Sequence, residues 1–364
     1  MERRGTLEEE RILKSTSARS AVSASFAPRV TIVVCCRNEA KHIEATLGSA
    51  LLQQGIQGGF EVVVADGMSE DGTREILSEL AAKDSRIRLI DNLGRIASCG
   101  LNSAIAVAKG AVIVRMDAHT EYDVDYVRSC LDVQELTNAD NVGGPARTKA
   151  SGYVEKAIAA AYHSAFSAGG AKFHDPNYEG PLDTVTYGCW RRETFARFGS
   201  FDEELARNQD DEHNLRIILG GGRIWQSPRI KSWYHPRRSL SALFRQYMQY
   251  GYWKVRVIQK HHLAGSVRQL IPAGFLVSLV LAGVLGIWLP LAAALCLSLT
   301  ALYLCASVAA SILTAFRNGL SLLPVLPLVF WCYHFGYGLG FLFGVFDFLL
   351  MGSRPRASSA SLTR

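Results

Sequence analysis

Three scarcities narrow what this chain is. The eight cysteines (35, 36, 99, 130, 189, 296, 305 and 332) form no CxxC pair and no zinc-type spacing. That excludes a zinc ribbon and a disulfide-stapled scaffold, and free thiols in a reducing compartment are the expectation. Residues 1–26 are charged and rich in Ser and Ala, and lack the apolar run of a signal peptide or membrane span. They read as a mobile tail. Finally, no Asp or Glu occurs between Glu212 and Asp347. The interval instead carries basic residues such as Arg223, Arg237, Arg245, Lys254 and Lys260. A basic stretch ahead of a membrane segment marks the cytoplasmic side and favours anionic lipid heads. No nucleic-acid-binding motif accompanies the charge, so nucleic acid is not an expected partner. No internal repeat is visible.

What is present is a long chain, 364 residues with 49% hydrophobic residues and a net charge of +6. Its long apolar runs are confined to the last hundred residues. From residue 29 the pattern alternates between strand and helix. Strands are expected at 29–37, 61–65, 86–90 and 111–116. Helices are expected from about 38 to 53 and over 73–82, 101–108 and 123–136. Such β-α-β-α alternation predicts a mostly parallel sheet with helices on both faces. After Val142-Gly143-Gly144 it breaks down. Residues 154–168 read as a helix, 172–183 as a polar active-site loop, 185–190 as a short strand and 210–219 as a helix. One further strand begins at 223 and runs on near 229–234.

Two of the strands end in an aspartate. Glu61-Val62-Val63-Val64-Ala65-Asp66 leads into Gly67-Met68-Ser69-Glu70-Asp71-Gly72-Thr73, and Val112-Ile113-Val114-Arg115-Met116-Asp117 into Ala118-His119. Ligands of open α/β sheets sit outside the carboxyl ends of the strands. Two acids delivered there can hold a base or ribose and a metal-bound diphosphate. Either acid alone reads equally well as a helix cap. A third cluster, Arg207-Asn208-Gln209-Asp210-Asp211-Glu212, stands at a helix start, where the dipole also favours acids.

Residues 239–259 form an amphipathic pattern with Arg, Lys, Tyr and Trp interspersed, suited to a membrane interface. The alternative is a helix packed wholly on the soluble domain. Residues 270–289, 291–316 and about 328–350 are each apolar and close to the roughly 20 residues that cross a bilayer. The domain plan is thus a tail (1–28), an α/β domain (29–238), an interfacial region (239–268), about three membrane helices (269–351) and a second tail (352–364).

Together the segments after the first strand (Arg37-Asn38-Glu39), the Asp66 turn and Asp117-Ala118-His119 resemble the metal-dependent inverting glycosyltransferases of family 2, of GT-A fold. The resemblance covers about residues 29–260. It implies that Asp66 hydrogen-bonds the nucleotide base, that Glu39 lines the nucleotide cleft, and that Asp117 is the first acid of a DxD motif beside ribose and metal. His119 replaces the second acid, and imidazole suits Mn2+ better than Mg2+. The 207–214 segment resembles the family's ED motif, with Asp210 as base and Asp211 as a neighbouring carboxylate expected to raise its pKa. Gln246-Tyr247-Met248-Gln249-Tyr250 occupies the QxxRW position without Arg or Trp, against a long-chain synthase. Gln246 and Trp253 are expected to border the acceptor cleft, and His235 to contact metal or diphosphate.

Gly188-Cys189-Trp190-Arg191-Arg192, Phe201-Asp202-Glu203-Glu204-Leu205 and Gly221-Gly222-Arg223-Ile224-Trp225 further resemble the succinoglycan-biosynthesis glucosyltransferase subfamily. This implies hexose transfer in exopolysaccharide synthesis. The donor would be UDP-glucose and the acceptor a polyprenyl-diphosphate-linked saccharide. The enzyme would be a multi-pass inner-membrane protein with a cytoplasmic catalytic domain. Two rivals stay open. One transfers to a polyprenyl phosphate, already ionised and needing no base. The other is a non-catalytic membrane scaffold that binds a sugar nucleotide.

Overall fold

The computed structural model describes residues 28–118, 120–353 and 355. Most of the expected tail (1–27), His119, and 354 and 356–364 of the second tail lie outside them.

Strands β1 (Val30–Cys36), β2 (Phe60–Asp66), β3 (Ile87–Asp91) and β4 (Val112–Asp117) form a parallel half-sheet in the order β3-β2-β1-β4. Their nearly continuous apolar runs suit strands covered on both faces. Alternation then divides them. Val30, Ile32 and Val34 of β1 join Val62, Val64, Val112 and Val114 on one face, under helices α1 (Ile43–Leu51) and α2 (Thr73–Lys83). Val33, Val63, Ala65 and Ile113 face the other way, under α3 (Ala97–Val107). Each such fully buried Val or Ile stabilises the fold by roughly 1.5–3 kcal/mol.

The chain then passes through β5 (Thr120–Tyr122), α4 (Tyr126–Thr137), β6 (Asn141–Gly144), β7 (Arg147–Thr148), α5 (Tyr153–Tyr162), α6 (Ala165–Ala168), β8 (Gly180–Pro181), β9 (Thr186–Arg191), α7 (Arg192–Phe198), α8 (Gln209–Leu219), β10 (Ile224–Gln226) and β11 (Ser232–Tyr234). The eight-stranded sheet continues β4-β9-β6-β10-β8. Strand β9 runs antiparallel to both β4 and β6, where the simple alternation ends. The expected single strand from 223 to 234 is two strands in different sheets. Pro228 lies between them, and a proline cannot donate to a ladder. Strand β11 crosses to a three-stranded sheet, β5-β11-β7, which sets residues 232–234 beside β5, the strand that follows β4 in the chain.

Helix α9 (Leu240–His261) follows, then α10 (Ile271–Leu285), α11 (Pro290–Asn318), α12 (Leu326–Gly344) and a π-helical turn (Val345–Leu350). By length and composition two segments can cross a membrane, Pro290–Asn318 and Leu326–Leu350. The first of the three expected spans is shorter than the sequence suggests. Helix α10 has 15 residues and stops before a turn at Gly286–Leu289, so it rises only about 22 Å.

The two long segments differ in cover. The apolar stretch of α11 is almost bare (6% buried), whereas half of that in Leu326–Leu350 is buried, mainly against α9. Gly336, Gly340 and Gly344 of α12 meet the carbonyl oxygens of Phe244, Met248 and Tyr252, and Gly251 of α9 meets that of Tyr337. Glycines four apart on one helix face let two backbones approach closely. The amphipathic helix is therefore clasped between the α/β domain and an apolar helix.

Candidate active site

Register decides what the sheet presents. Cys36 pairs with Asp66 on one side of β1, and Cys35 with Asp117 on the other. Both strand-ending aspartates thus reach the same carboxyl edge, where Asp117 opens onto a cavity of about 1910 Å³. The cavity is lined there by Asn38, Glu39, Asp71, Arg115 and Asp117. It continues past Asp210, Asp211, His235, Gln246 and Lys254 to Phe275, Tyr303, Tyr333 and His334 of the C-terminal helices.

The loops after β1 and β2 are tied together. The Asn38 amide donates to Ser69 Oγ at 2.7 Å, and Asn38 Oδ1 accepts from the Glu70 amide at 2.8 Å. The Glu39 and Ala40 amides donate to Thr73 Oγ1 (2.7 Å) and Asp71 Oδ2 (3.2 Å). Asn38 itself sits in the left-handed region (φ 53°), which an α-helix cannot include, and α1 begins at Ile43 rather than near Asn38. Glu39 is buried but lines the cavity. Asp66 does not line it. Its side chain is fully enclosed, accepts from Ser69 Oγ and the Ser69 amide, and pairs with Arg74 at 3.2 Å. Asp66 organises the turn beneath the cleft.

Arg115 is a site residue that the strand pattern hides. A lone charge in an apolar run reads as an interruption. Yet it lies two residues before Asp117, so the two share a face of β4. Its Nε and Nη2 reach the two Asp117 oxygens at 2.6 and 2.8 Å, and Nη1 lies 3.7 Å from Asp210 Oδ2. Burial works against its charge, but Asp117, then Asp210, more than offset this and raise its pKa. The Asp117 amide donates to Tyr122 Oη at 2.6 Å. The Asp117 side chain stays about one-third exposed (34%). Each of its oxygens has lone-pair capacity beyond the arginine bonds, so it remains able to ligate a cation alongside substrate phosphates.

The three acids that open α8 have three different surroundings, because successive helical residues point about 100° apart. Glu212 turns inward to Arg216 and His261, each at 2.8 Å. Asp211 pairs with Lys254 of α9. Asp210 faces the cavity with 40% of its side chain exposed, and its Oδ1 accepts the Asp211 amide at 2.9 Å. Each of the two adjacent carboxylates thus has its own cation nearby. Asn208, in the left-handed region (φ 61°), donates to the Tyr250 carbonyl at 3.0 Å and fixes the helix start against α9.

His235 enters through the β5–β11 pairing and bonds Glu121 Oε1 at 3.0 Å. Lys149 is the main cause of the lowered pKa of Glu121. Gln246 Nε2 donates to Tyr250 Oη at 3.0 Å and Tyr234 Oη at 3.4 Å, in the cavity wall. Trp253 is not brought to the cavity. It is 1% exposed and packs with Leu205, Ala206 and Phe348 where α9 meets the α/β domain and the C-terminal helices. The amphipathic face gave its side but not its neighbour.

An open sheet with acids at its carboxyl edge, and a carboxylate on a facing helix start, is the frame of a GT-A glycosyltransferase. Residues 31–197 match the model of glycosyl transferase family 2. The succinoglycan biosynthesis protein ExoA of Rhizobium meliloti (strain 1021) is 35% identical over 243 residues, 66% of this chain and 73% of its own. A dolichyl N-acetyl-alpha-D-glucosaminyl phosphate 3-beta-D-2,3-diacetamido-2,3-dideoxy-beta-D-glucuronosyltransferase of Methanococcus voltae is 26% identical over 70% of this chain and 82% of its own. Among solved structures, a mannosyltransferase from Pyrobaculum calidifontis, in complex with GDP-Man and Mn2+, shares the fold. Its TM-score is 0.55 at 20% identity, over 87% of this chain and 94% of that one. The chain belongs to glycosyltransferase family 2. It is a glycosyltransferase of polysaccharide or glycan biosynthesis.

Proposed function

We propose that this enzyme transfers a hexose, glucose from UDP-glucose, to a saccharide carried on a polyprenyl diphosphate. The observation that carries this reading is the continuity of one cavity from the sheet edge at Asp117, past Asp210, to the aromatic walls of α10, α11 and α12. A lipid-linked acceptor entering from the apolar helices meets a nucleotide sugar held by the sheet. The exposed apolar side chains of α10 and α11, such as Val280, Leu281, Leu297 and Phe316, support membrane anchoring. The proposed plan keeps residues 29–238 as the catalytic domain on the cytoplasmic face. Residues 239–268 and 269–351 form its bridge and multi-pass inner-membrane anchor.

In this reading Asn38, Glu39 and Asp117 hold the nucleotide end, with Asp66 fixing the turn below. Asp117 and His119 hold a divalent cation, Mn2+ rather than Mg2+, which when bound supplies Lewis-acid stabilisation of the leaving diphosphate. Arg115 fixes Asp117 and places positive charge beside Asp210. Asp210 takes the acceptor proton as the hydroxyl attacks the anomeric carbon and the diphosphate departs from the opposite face. Lys254 anchors Asp211, so the start of α8 cannot swing away.

The test is nucleoside-diphosphate release by detergent-purified protein with UDP-, GDP- and dTDP-sugars and a native lipid extract, under Mn2+ or Mg2+. Lipid-dependent release with UDP-glucose, faster in Mn2+, is expected. Release from another donor overturns the sugar assignment, and equal rates in both ions overturn the cation preference. Release that persists in Asp210→Asn favours a phosphate acceptor instead.

A further inference from the structure

Both ends of the last apolar segment, α12 and its π-helical turn, touch the α/β domain. At the start, Leu326, Val329 and Phe330 share a buried cluster with Ala157, Ile158 and Ala161 of α5. The turn just before is held there too, where Tyr153 Oη donates to the Ser321 carbonyl at 2.6 Å. At the end, Phe348 shares a buried cluster with Leu205 and Ala206. Between these points α12 lies along α9 in a nearly constant register. Cys332 Sγ donates to the Leu240 carbonyl at 3.6 Å, the three glycines follow, and Gln259 Nε2 donates to the Phe348 carbonyl at 3.1 Å.

Helix α9 is itself fastened to the domain by charge. Lys254 pairs with Asp211, Arg256 with Glu204 at 3.0 Å, and Lys260 with Asp202. Charges are costly in hydrocarbon, so α9 stays at or above the lipid headgroups. A helix that follows α9 for about 24 Å, with both ends on the same domain, does not cross a hydrocarbon core about 30 Å thick.

The hairpin of α10 and α11 is different. No Asp, Glu, Lys or Arg lies between Arg268 and Arg317, so a cation stands at each foot and none at the tip. Cations at both feet place both on the cytoplasmic side. From Arg317 to Pro290, α11 rises about 40 Å, enough to cross. The tip exposes Ile287, Trp288 and Leu289, and tryptophan favours the membrane–water interface. The outer side of α12 carries a single apolar stripe. Leu328, Trp331, Phe343, Phe346 and Leu350 are exposed at spacings that share one helix face. A stripe of this kind, opposite a face bound to a polar domain, suits a helix lying in the membrane surface.

We propose that only the α10–α11 hairpin crosses the bilayer, and that α12 lies in the plane of the cytoplasmic leaflet with its stripe on the acyl chains. The inference rests on the membrane-anchor reading above and replaces a third crossing with an in-plane helix. Tyr333, His334 and Tyr337 of α12, which line the cavity, then stand where a lipid's polar head meets its apolar tail. The chain after Leu350 stays on the catalytic side, the side that Arg354 and Arg356 of the sequence favour.

The test uses the full chain in sealed membrane vesicles of both orientations. An impermeant maleimide reads Ile287→Cys and Leu320→Cys over the wild-type cysteines, and a protease reads a tag placed after Arg364. Leu320→Cys and the tag are expected to react in inverted vesicles and to be protected in right-side-out ones, with Ile287→Cys the reverse. UDP binding equal to wild type reports an intact fold in each variant. A tag on the face opposite to Leu320→Cys means that α12 crosses, and overturns the proposal. Leu320→Cys reacting from the outer face overturns it too, because α11 then ends on the far side. Ile287→Cys unreactive from the outer face denies the hairpin its crossing. Each of these three results leaves the membrane anchor standing. A wild-type chain that an alkaline wash strips from the vesicles overturns the anchor reading and the proposal together.

Discussion

The two ends of the cavity are built in opposite ways. The donor end is a product of local rules: adjacent parallel strands, a fixed register, and two tied loops, all within the first 117 residues. The acceptor end is assembled from α8, α9, α12 and the turn after β11, which are distant in sequence and meet only by packing. The first kind of site tolerates the loss of a distant contact. The second does not, because its side chains are held by helices that must seat together.

The largest effect expected to sharpen this contrast is at Asp210. Asp210→Asn is expected to lower kcat by roughly 10²–10⁴-fold while nucleotide binding at the donor end is unchanged, measured by product release and nucleotide titration. A loss confined to nucleotide affinity would mean the two ends are not separable. Arg115→Met comes next, because this residue joins them. Arg115 is buried, but Asp117 and Asp210 are partly exposed and can rehydrate, so losing its charged hydrogen bonds is expected to cost about 1.5–3 kcal/mol. The variant is expected to melt earlier and to lose roughly a hundredfold in kcat/KM, whereas an unaltered kcat/KM would deny the bridge any function.

Smaller again is the helix seam. A side chain at Gly340 would collide with the Met248 carbonyl, so Gly340→Val is expected to cost about 1–3 kcal/mol. Gly274 has open space around it, and Gly274→Ala is expected to stay within about 0.5 kcal/mol. Equal melting of the two variants would show that the seam does not hold the acceptor end. The remaining effect appears only below neutral pH. Burial lowers His174 to about 3 and His213 to about 4, against an ordinary 6.5. The unfolded chain therefore binds more protons below that value, and stability falls as pH drops from about 6.5 toward 4. Melting curves of His174→Gln are expected to show a shallower decline, and an identical slope would remove His174 from the account.

How much could be read from sequence follows the same division. The strands ending at Asp66 and Asp117 announce themselves through apolar runs and turn chemistry, and the sheet then places them. Asp210 was legible because three acids open a helix, although only packing shows that Glu212 turns inward and Lys254 takes Asp211. Arg115 had a signal, its two-residue spacing from Asp117, but one charge in an apolar strand has too many explanations. Trp253 and the 223–234 strand were misplaced for one reason. Periodicity says which side of a segment is apolar, not what will cover it. The four-residue spacing of the glycines at 336, 340 and 344 went unread in the sequence, and even read it could not name α9 as the partner.

That contact has a consequence for scale. Helix α9 spans 22 residues, about 33 Å. One side is clasped by α12, and Lys254 and the Tyr250 carbonyl hold the start of α8. The glycine seam holds α9 close to α12, and with it the start of α8 that carries Asp210. If the proposed lipid-linked acceptor enters from the apolar helices, the distance from lipid to reacting hydroxyl is bounded by this scaffold, and the length of the saccharide would matter alongside its identity.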